Sequence, residues 1–201
     1  MCDSRGSTGS QILSDGRKRK KYNLQSKTGM DKRKKEKIAA LLISAVVALL
    51  PLLVSPEWKE VGIYAGCSLQ GRFLYSFFHA NMLHALLNAW CLLSLVFIYD
   101  ISIGRILLAY IIAVTIPVDT LGSFINMTSP TVGLSAVVFV LFGSISFEVA
   151  RKWYYQAWML FYLVVGFLFP NTNAWLHLYC YLAGLVVALL NKPVDYGHYG
   201  R

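Results

Sequence analysis

Residues 79–88 read HANMLHALLN inside a long apolar stretch, and His79, His84 and Asn88 are expensive residues to place there. On a helix His84 and Asn88 lie four apart on one face. His79, five before His84, falls roughly 140° away round the same helix and faces another neighbour. An imidazole and a carboxamide pointing together are hydrogen-bond donors suited to a developing negative charge. Two later apolar stretches carry Ser135 and His177. A serine hydroxyl attacks a carbonyl only when a base takes its proton, and histidine is the usual base. The chemistry open to these residues is acyl transfer, with Ser135 as nucleophile and His177 as base. His84, Asn88 and the Ser135 backbone N–H would meet the oxyanion, and Gly133 would let the chain turn tightly before the serine.

A serine alone in an apolar helix is ordinarily a packing residue or bonds back to its own helix, and a lone histidine near a helix end is ordinarily interfacial. The elements that position them decide. With 56% hydrophobic residues in 201 and a net charge of +9, the chain must segregate its charge. Twelve of the nineteen Lys and Arg fall in residues 1–37. The remainder is a series of apolar runs, which predicts an all-α polytopic membrane protein with one domain. Residues 1–37 read as a basic cytoplasmic tail, disordered in its Ser-, Gly- and Lys-rich first part. Residues 38–190 form the membrane domain and 191–201 a short cytoplasmic tail. The RKRKK run at 17–21 reads as a topology signal or anionic-lipid contact rather than a nucleic-acid patch. Met30, opening MDKRKKEK, is the expected natural start.

Six spans are expected at residues 38–54, 73–98, 103–118, 133–149, 155–169 and 174–190, with a turn at 171–173. The first is too long for a signal-peptide core and lacks an A-x-A site, which favours a retained helix. Six spans put both termini on one side, with 17 Lys and Arg inside and two, Lys59 and Arg72, outside. Spans two, four and six then all run inward, so His84, Ser135 and His177 share one depth near the outer face. Ser135, Phe139 and Gly143 mark one helical face, and His177, Tyr181 and Gly184 another, where Gly184 permits close approach. Cys91 and Cys180 lie within apolar runs and read as small buried hydrophobes. His79, His84 and Cys91 do not converge on one face, so no metal is expected. Glu148 is expected beside Arg151 and Lys152, and His198 in a polar tail.

These residues resemble the rhomboid intramembrane serine proteases over residues 38–190. His79, His84 and Asn88 match an H-x-x-x-x-H-x-x-x-N pattern. Gly133-Leu134-Ser135-Ala136 with Phe139 matches a G-x-S-G pattern with an aromatic four residues on. His177, Cys180 and Gly184 match a histidine followed by small residues. The resemblance implies a six-transmembrane-helix bundle in which Ser135 and His177 form a dyad without a carboxylate. His84 and Asn88 would assist the oxyanion, His79 would hold structure near the first loop, and Phe139 would pack on His177. Ala136 stands for the usual glycine, Phe139 for tyrosine and Cys180 for glycine, the last expected to widen the gap between spans four and six. The tryptophan-arginine of the first loop is reduced to Gly71-Arg72. The implied activity is endopeptidase cleavage of transmembrane protein substrates in or near the bilayer, here placed in a bacterial inner (plasma) membrane. No cofactor and no nucleic acid are implied, and the oligomeric state is left open. An inactive relative that binds membrane-protein clients is the alternative. A proton-relaying transporter is disfavoured by the absence of charge at the centres of spans three and five and of any internal repeat.

Overall fold

The computed structural model describes residues 8–125, 127–169 and 172–191, and among these it is all-helical. In chain order the helices are α1 (Thr8–Leu53), α2 (Trp58–Val61), α3 (Leu69–Leu74), α4 (Met82–Ile98), α5 (Ile103–Val114), α6 (Val118–Gly122), α7 (Ser135–Ser144), α8 (Lys152–Leu168) and α9 (Ala174–Leu190). Among the described residues one stretch, Gly29–Leu53, is by itself long and apolar enough to cross a membrane; α4, α5, α7 and α9 are shorter apolar helices.

Several boundaries differ from those expected, that of α8 among them, which starts at Lys152 rather than at residue 155. The basic tail is helical from Thr8 onward rather than disordered, continuous with the apolar part of α1; its Lys, Arg, Gln and Leu are good helix formers, enough to carry Gly16 and Gly29. The expected second span, 73–98, is broken into α3 and α4. Asn81 ends the break by accepting the His84 N–H on its side chain at 2.8 Å, a strong N-cap. His79 therefore lies in the connection before α4, and its predicted angle round a shared helix does not exist. The third span stops at Val114, short of Pro117, and α6 follows in what was expected to be loop. The fourth shrinks to ten residues, ending where Ser144 Oγ turns back on the Leu141 carbonyl at 2.8 Å. The last helix occupies residues 174–190 as expected, capped by Asn173, whose side chain accepts the Leu176 N–H at 3.1 Å. Part of the expected turn at 171–173, and His198, fall outside the described residues.

The core is built around α7. Ala136, Val137, Val138, Val140, Leu141 and Gly143 are all buried, so this helix has neighbours on every side. Its most extensive packing is against α9, with α5 and α4 also in contact, while α1 packs on α4. The outward faces are apolar: Leu83, Leu86, Leu87 and Trp90 of α4 and Leu107 and Ile111 of α5 are exposed. Such a surface suits lipid rather than water. Glu148 pairs with Arg105 at 2.7 Å rather than with its sequence neighbours Arg151 and Lys152.

At the end of the bundle where Ser135 begins α7, the loop before α3 is fastened to the chain leading to that serine. Ile63 and Thr131 exchange two backbone hydrogen bonds, at 2.9 and 3.0 Å. Arg72 donates to the Ile116 carbonyl at 2.8 Å and pairs with Asp119 at 2.5 Å, and Asp119 also accepts the Gly66 N–H at 2.7 Å.

Candidate active site

Ser135 is the first residue of α7, His84 the third of α4 and His177 the fourth of α9. Three helices thus bring these side chains to one level within their first turn. Ser135 Oγ and His177 Nε2 lie 2.8 Å apart, a hydrogen bond between residues 42 apart in the chain. With the hydroxyl donating, Nε2 is the acceptor and Nδ1 carries the ring proton. Both residues are half-buried.

What holds this geometry is mostly backbone. Gly133 has φ +137°, a conformation that side chains rarely adopt, and donates its N–H to the Tyr75 carbonyl at 2.8 Å. A Cβ at residue 133 would stand 2.8 Å from His84 Cε1 and 3.1 Å from His84 Nε2. The glycine therefore both turns the chain and admits the His84 ring beside the serine. The next residue, Leu134, donates its N–H to His79 Nε2 at 3.1 Å. His79 Nδ1 lies 3.3 Å from the Phe77 carbonyl, so the ring bridges two backbone segments as donor at one nitrogen and acceptor at the other. The His79 and His84 rings meet edge to face at 5.0 Å.

His177 is steered by α9 and by Phe139. The Phe139 ring stacks on the imidazole at 4.4 Å between centroids and 13° between planes. Phe139 is one turn after Ser135, so α7 supplies both the hydroxyl and the surface against which the base lies. Farther along, α7 and α9 touch backbone to backbone. A Cβ at Gly143 would meet the Gly184 Cα at 2.8 Å and run into the Tyr181 carbonyl; one at Gly184 would meet the Gly143 Cα at 2.9 Å and run into the Val140 carbonyl. Cys180, fully buried one turn from that crossing, does not hold the helices apart there.

Asn88 is 6% exposed and donates from its carboxamide to the His84 carbonyl at 3.0 Å, folded back along its own helix. Among the described residues it makes no hydrogen bond to Ser135. The backbone N–H of Ser135 makes no hydrogen bond among the described residues, and it sits at a helix N-terminus where partial positive charge accumulates. Residues that the sequence reading did not single out complete the scaffold. Asn173 caps α9 and also donates to Thr131 Oγ1 at 3.0 Å, joining the helix of His177 to the approach to Ser135. Tyr75, wholly buried, anchors its hydroxyl on the Ala113 carbonyl at 2.9 Å while its own carbonyl holds Gly133. An asparagine immediately before an apolar run is a helix-start signal that could have marked Asn173; nothing local marks Tyr75.

The arrangement can activate a hydroxyl, keep the accepting imidazole in one orientation, and offer donors to an oxyanion. Among the described residues no three His, Cys, Asp or Glu side chains converge as metal ligands.

Searches of curated proteins and of solved structures return no match. Residues 67–193 match the Rhomboid domain, well over half of the chain and the whole segment that carries His79, His84, Ser135 and His177. The matched segment begins after α1, later than the residue 38 at which the resemblance was expected to start, and the chain belongs to the rhomboid family.

Proposed function

We propose that this rhomboid-family chain is an intramembrane serine endopeptidase that cleaves transmembrane protein substrates in or near the bilayer. The observation that carries this reading is the 2.8 Å contact of Ser135 Oγ with His177 Nε2, with the imidazole stacked on Phe139. In the first step His177 takes the Ser135 proton as Oγ attacks the scissile carbonyl. The charge that develops on the carbonyl oxygen is met by the Ser135 N–H and the His84 imidazole, with Asn88 supporting His84 through its carbonyl. Collapse of the tetrahedral intermediate breaks the C–N bond, and His177 returns the proton to the leaving amine. Water, activated by the same imidazole, then hydrolyses the acyl-enzyme. Among the described residues no carboxylate pairs with the imidazolium formed on the way; stacking on the Phe139 ring supplies part of its stabilisation.

In this reading α1, α4, α5, α7, α8 and α9 are six membrane spans with both termini cytoplasmic, the side favoured by the excess of Lys and Arg. The short α7 starts part-way into the bilayer. His177 is three residues inside α9, about 5 Å below its outer end at 1.5 Å per residue, so Ser135 is reached from the outer side. The test is cleavage of a labelled single-span peptide in proteoliposomes. Wild-type protein should release product, and Ser135→Ala and His177→Ala should not. Folded wild-type protein that captures single-span peptides without cutting them would replace this reading with that of a client-binding relative.

A further inference from the structure

The buried face of α1 that packs on α4 comprises Ala40, Ser44 and Val47. The same face continues toward the N-terminus through Glu36, Arg33 and Gly29 at three- and four-residue steps. The partner helix does not follow it. α4 ends at Ile98 and the chain turns through Asp100 to Ser102. The overhang leaves a cavity of about 360 Å³ bounded by Gly29, Lys32, Arg33 and Glu36 on one side and by Asp100 and Ser102 on the other.

The charges in this cavity are unevenly matched. Arg33 pairs with Asp100 at 2.9 Å. Glu36 is only 8% exposed, yet its carboxylate has no hydrogen bond or ion pair among the described residues. Lys37, which could have turned toward it, lies over the Phe97 ring at 4.7 Å. An unpaired carboxylate on a largely buried side chain that lines the cavity is a partner for a cation brought to it. Lys32 and Arg33, on the same wall, offer donors to an anion. A ligand that satisfies both carries an ammonium and a phosphate a few bonds apart. The apolar run of α1 starts at Ile38, two residues beyond Glu36, which puts the cavity at headgroup depth if α1 crosses the bilayer.

We propose that this cavity is a binding site for the phosphoethanolamine headgroup of a phospholipid. Its ammonium lies against Glu36 and Asp100, and its phosphodiester against Lys32 and Arg33. The proposal rests on the membrane placement given above but not on the peptidase chemistry.

The test uses the full chain, delipidated in detergent, and counts retained lipid by native mass spectrometry with dioleoyl phosphatidylethanolamine, phosphatidylcholine or phosphatidylglycerol as probe. Phosphatidylethanolamine should be retained about tenfold more strongly than phosphatidylcholine, the scale of one charge-assisted hydrogen bond. Glu36→Gln should abolish that preference, whereas Glu57→Gln in the outer loop should keep it. If Glu36→Gln does not fold, Asp100→Asn at the exposed rim should reduce the preference instead. Equal retention of phosphatidylethanolamine and phosphatidylcholine would overturn the proposal. So would stronger retention of phosphatidylglycerol, which would make the site a simple basic contact, or displacement of the lipid by millimolar inorganic phosphate. Fluorophosphonate labelling of Ser135 in the same samples separates failure of this site from failure of the peptidase reading.

Discussion

Helices α7 and α8 are adjacent in sequence and both strongly apolar, yet they are placed in opposite ways. In α7 seven of ten residues are buried. In α8, which is 17 residues long, the buried residues are Met159 and Leu163, while Trp153 is 89% exposed and Tyr154, Leu160, Phe161 and Tyr162 also face outward. Hydrophobicity does not separate them; side-chain size does. α7 is made of Ser, Ala, Val and Gly with spaced Phe and Leu, and it lets α9 approach until Gly143 and Gly184 touch. α8 is rich in aromatic rings that cannot interdigitate so closely. Where lipid is as apolar as any side chain, close packing of small residues rather than burial of hydrophobic area decides which helix is central. The helix that begins with Ser135 is the one whose position is most tightly determined by its neighbours.

α8 is held differently along its length. Near its start, Tyr155 donates to the Phe142 carbonyl at 2.7 Å and Tyr181 of α9 donates to Gln156 Oε1 at 2.5 Å. Farther on, its contacts are apolar: Met159 and Leu163 pack with Tyr181, and Phe167 meets Trp175 edge to face at 4.9 Å.

The contrast can be broken first at the chemistry. Ser135→Ala should lower peptide cleavage by at least ~10³-fold while leaving the fold intact, because only the attacking group is removed; circular dichroism and cleavage rates in the same preparation check both halves. Next in size, Gly184→Ala should destabilise the bundle by about 2–3 kcal/mol, since the new methyl meets α7 backbone rather than a movable side chain. Gly166→Ala in α8, where a Cβ would stand at ordinary contact distance of 3.6 Å from Ala174, should cost far less. Equal costs in denaturant unfolding would erase the distinction between the two helices.

Phe139→Ala should slow cleavage about fivefold, the worth of a ring stacked on an imidazolium, and Phe139→Tyr should restore most of it. Tyr181→Phe, which removes the bond to Gln156, should cost about 0.6 kcal/mol, the usual size of a hydrogen bond between membrane helices. Smallest of all, Phe161→Leu on the outward face of α8 should stay within about 0.5 kcal/mol of wild type.

Several features were legible in the sequence because their signals are local or periodic. α9 shows its bounds as an apolar run between Asn173 and Asn191, and the structure keeps them. The charge asymmetry and the apolar series point to helices and a membrane. Other features are decided by partners far along the chain. The break between α3 and α4 turns on Asn81 capping α4, a signal hidden inside a run whose hydropathy alone reads as one span. Once the helix starts at Met82, His79 is free to accept the Leu134 N–H, a contact 55 residues away that helical spacing could not reveal. The pairing of Glu148 with Arg105 rather than with its near neighbours has the same origin. Spacing placed His84 and Asn88 on one helix face, and the structure shows the carboxamide spent on the helix itself.

The most direct test is reaction of the detergent-purified chain with a fluorophosphonate, followed by mass-spectrometric location of the adduct. Such a probe phosphonylates only a serine whose hydroxyl is activated, the oxygen displacing fluoride from phosphorus. A single adduct on Ser135, lost in Ser135→Ala and in His177→Ala, is the predicted result. A folded wild-type protein that takes up no probe, or takes it up equally in His177→Ala, would contradict the dyad.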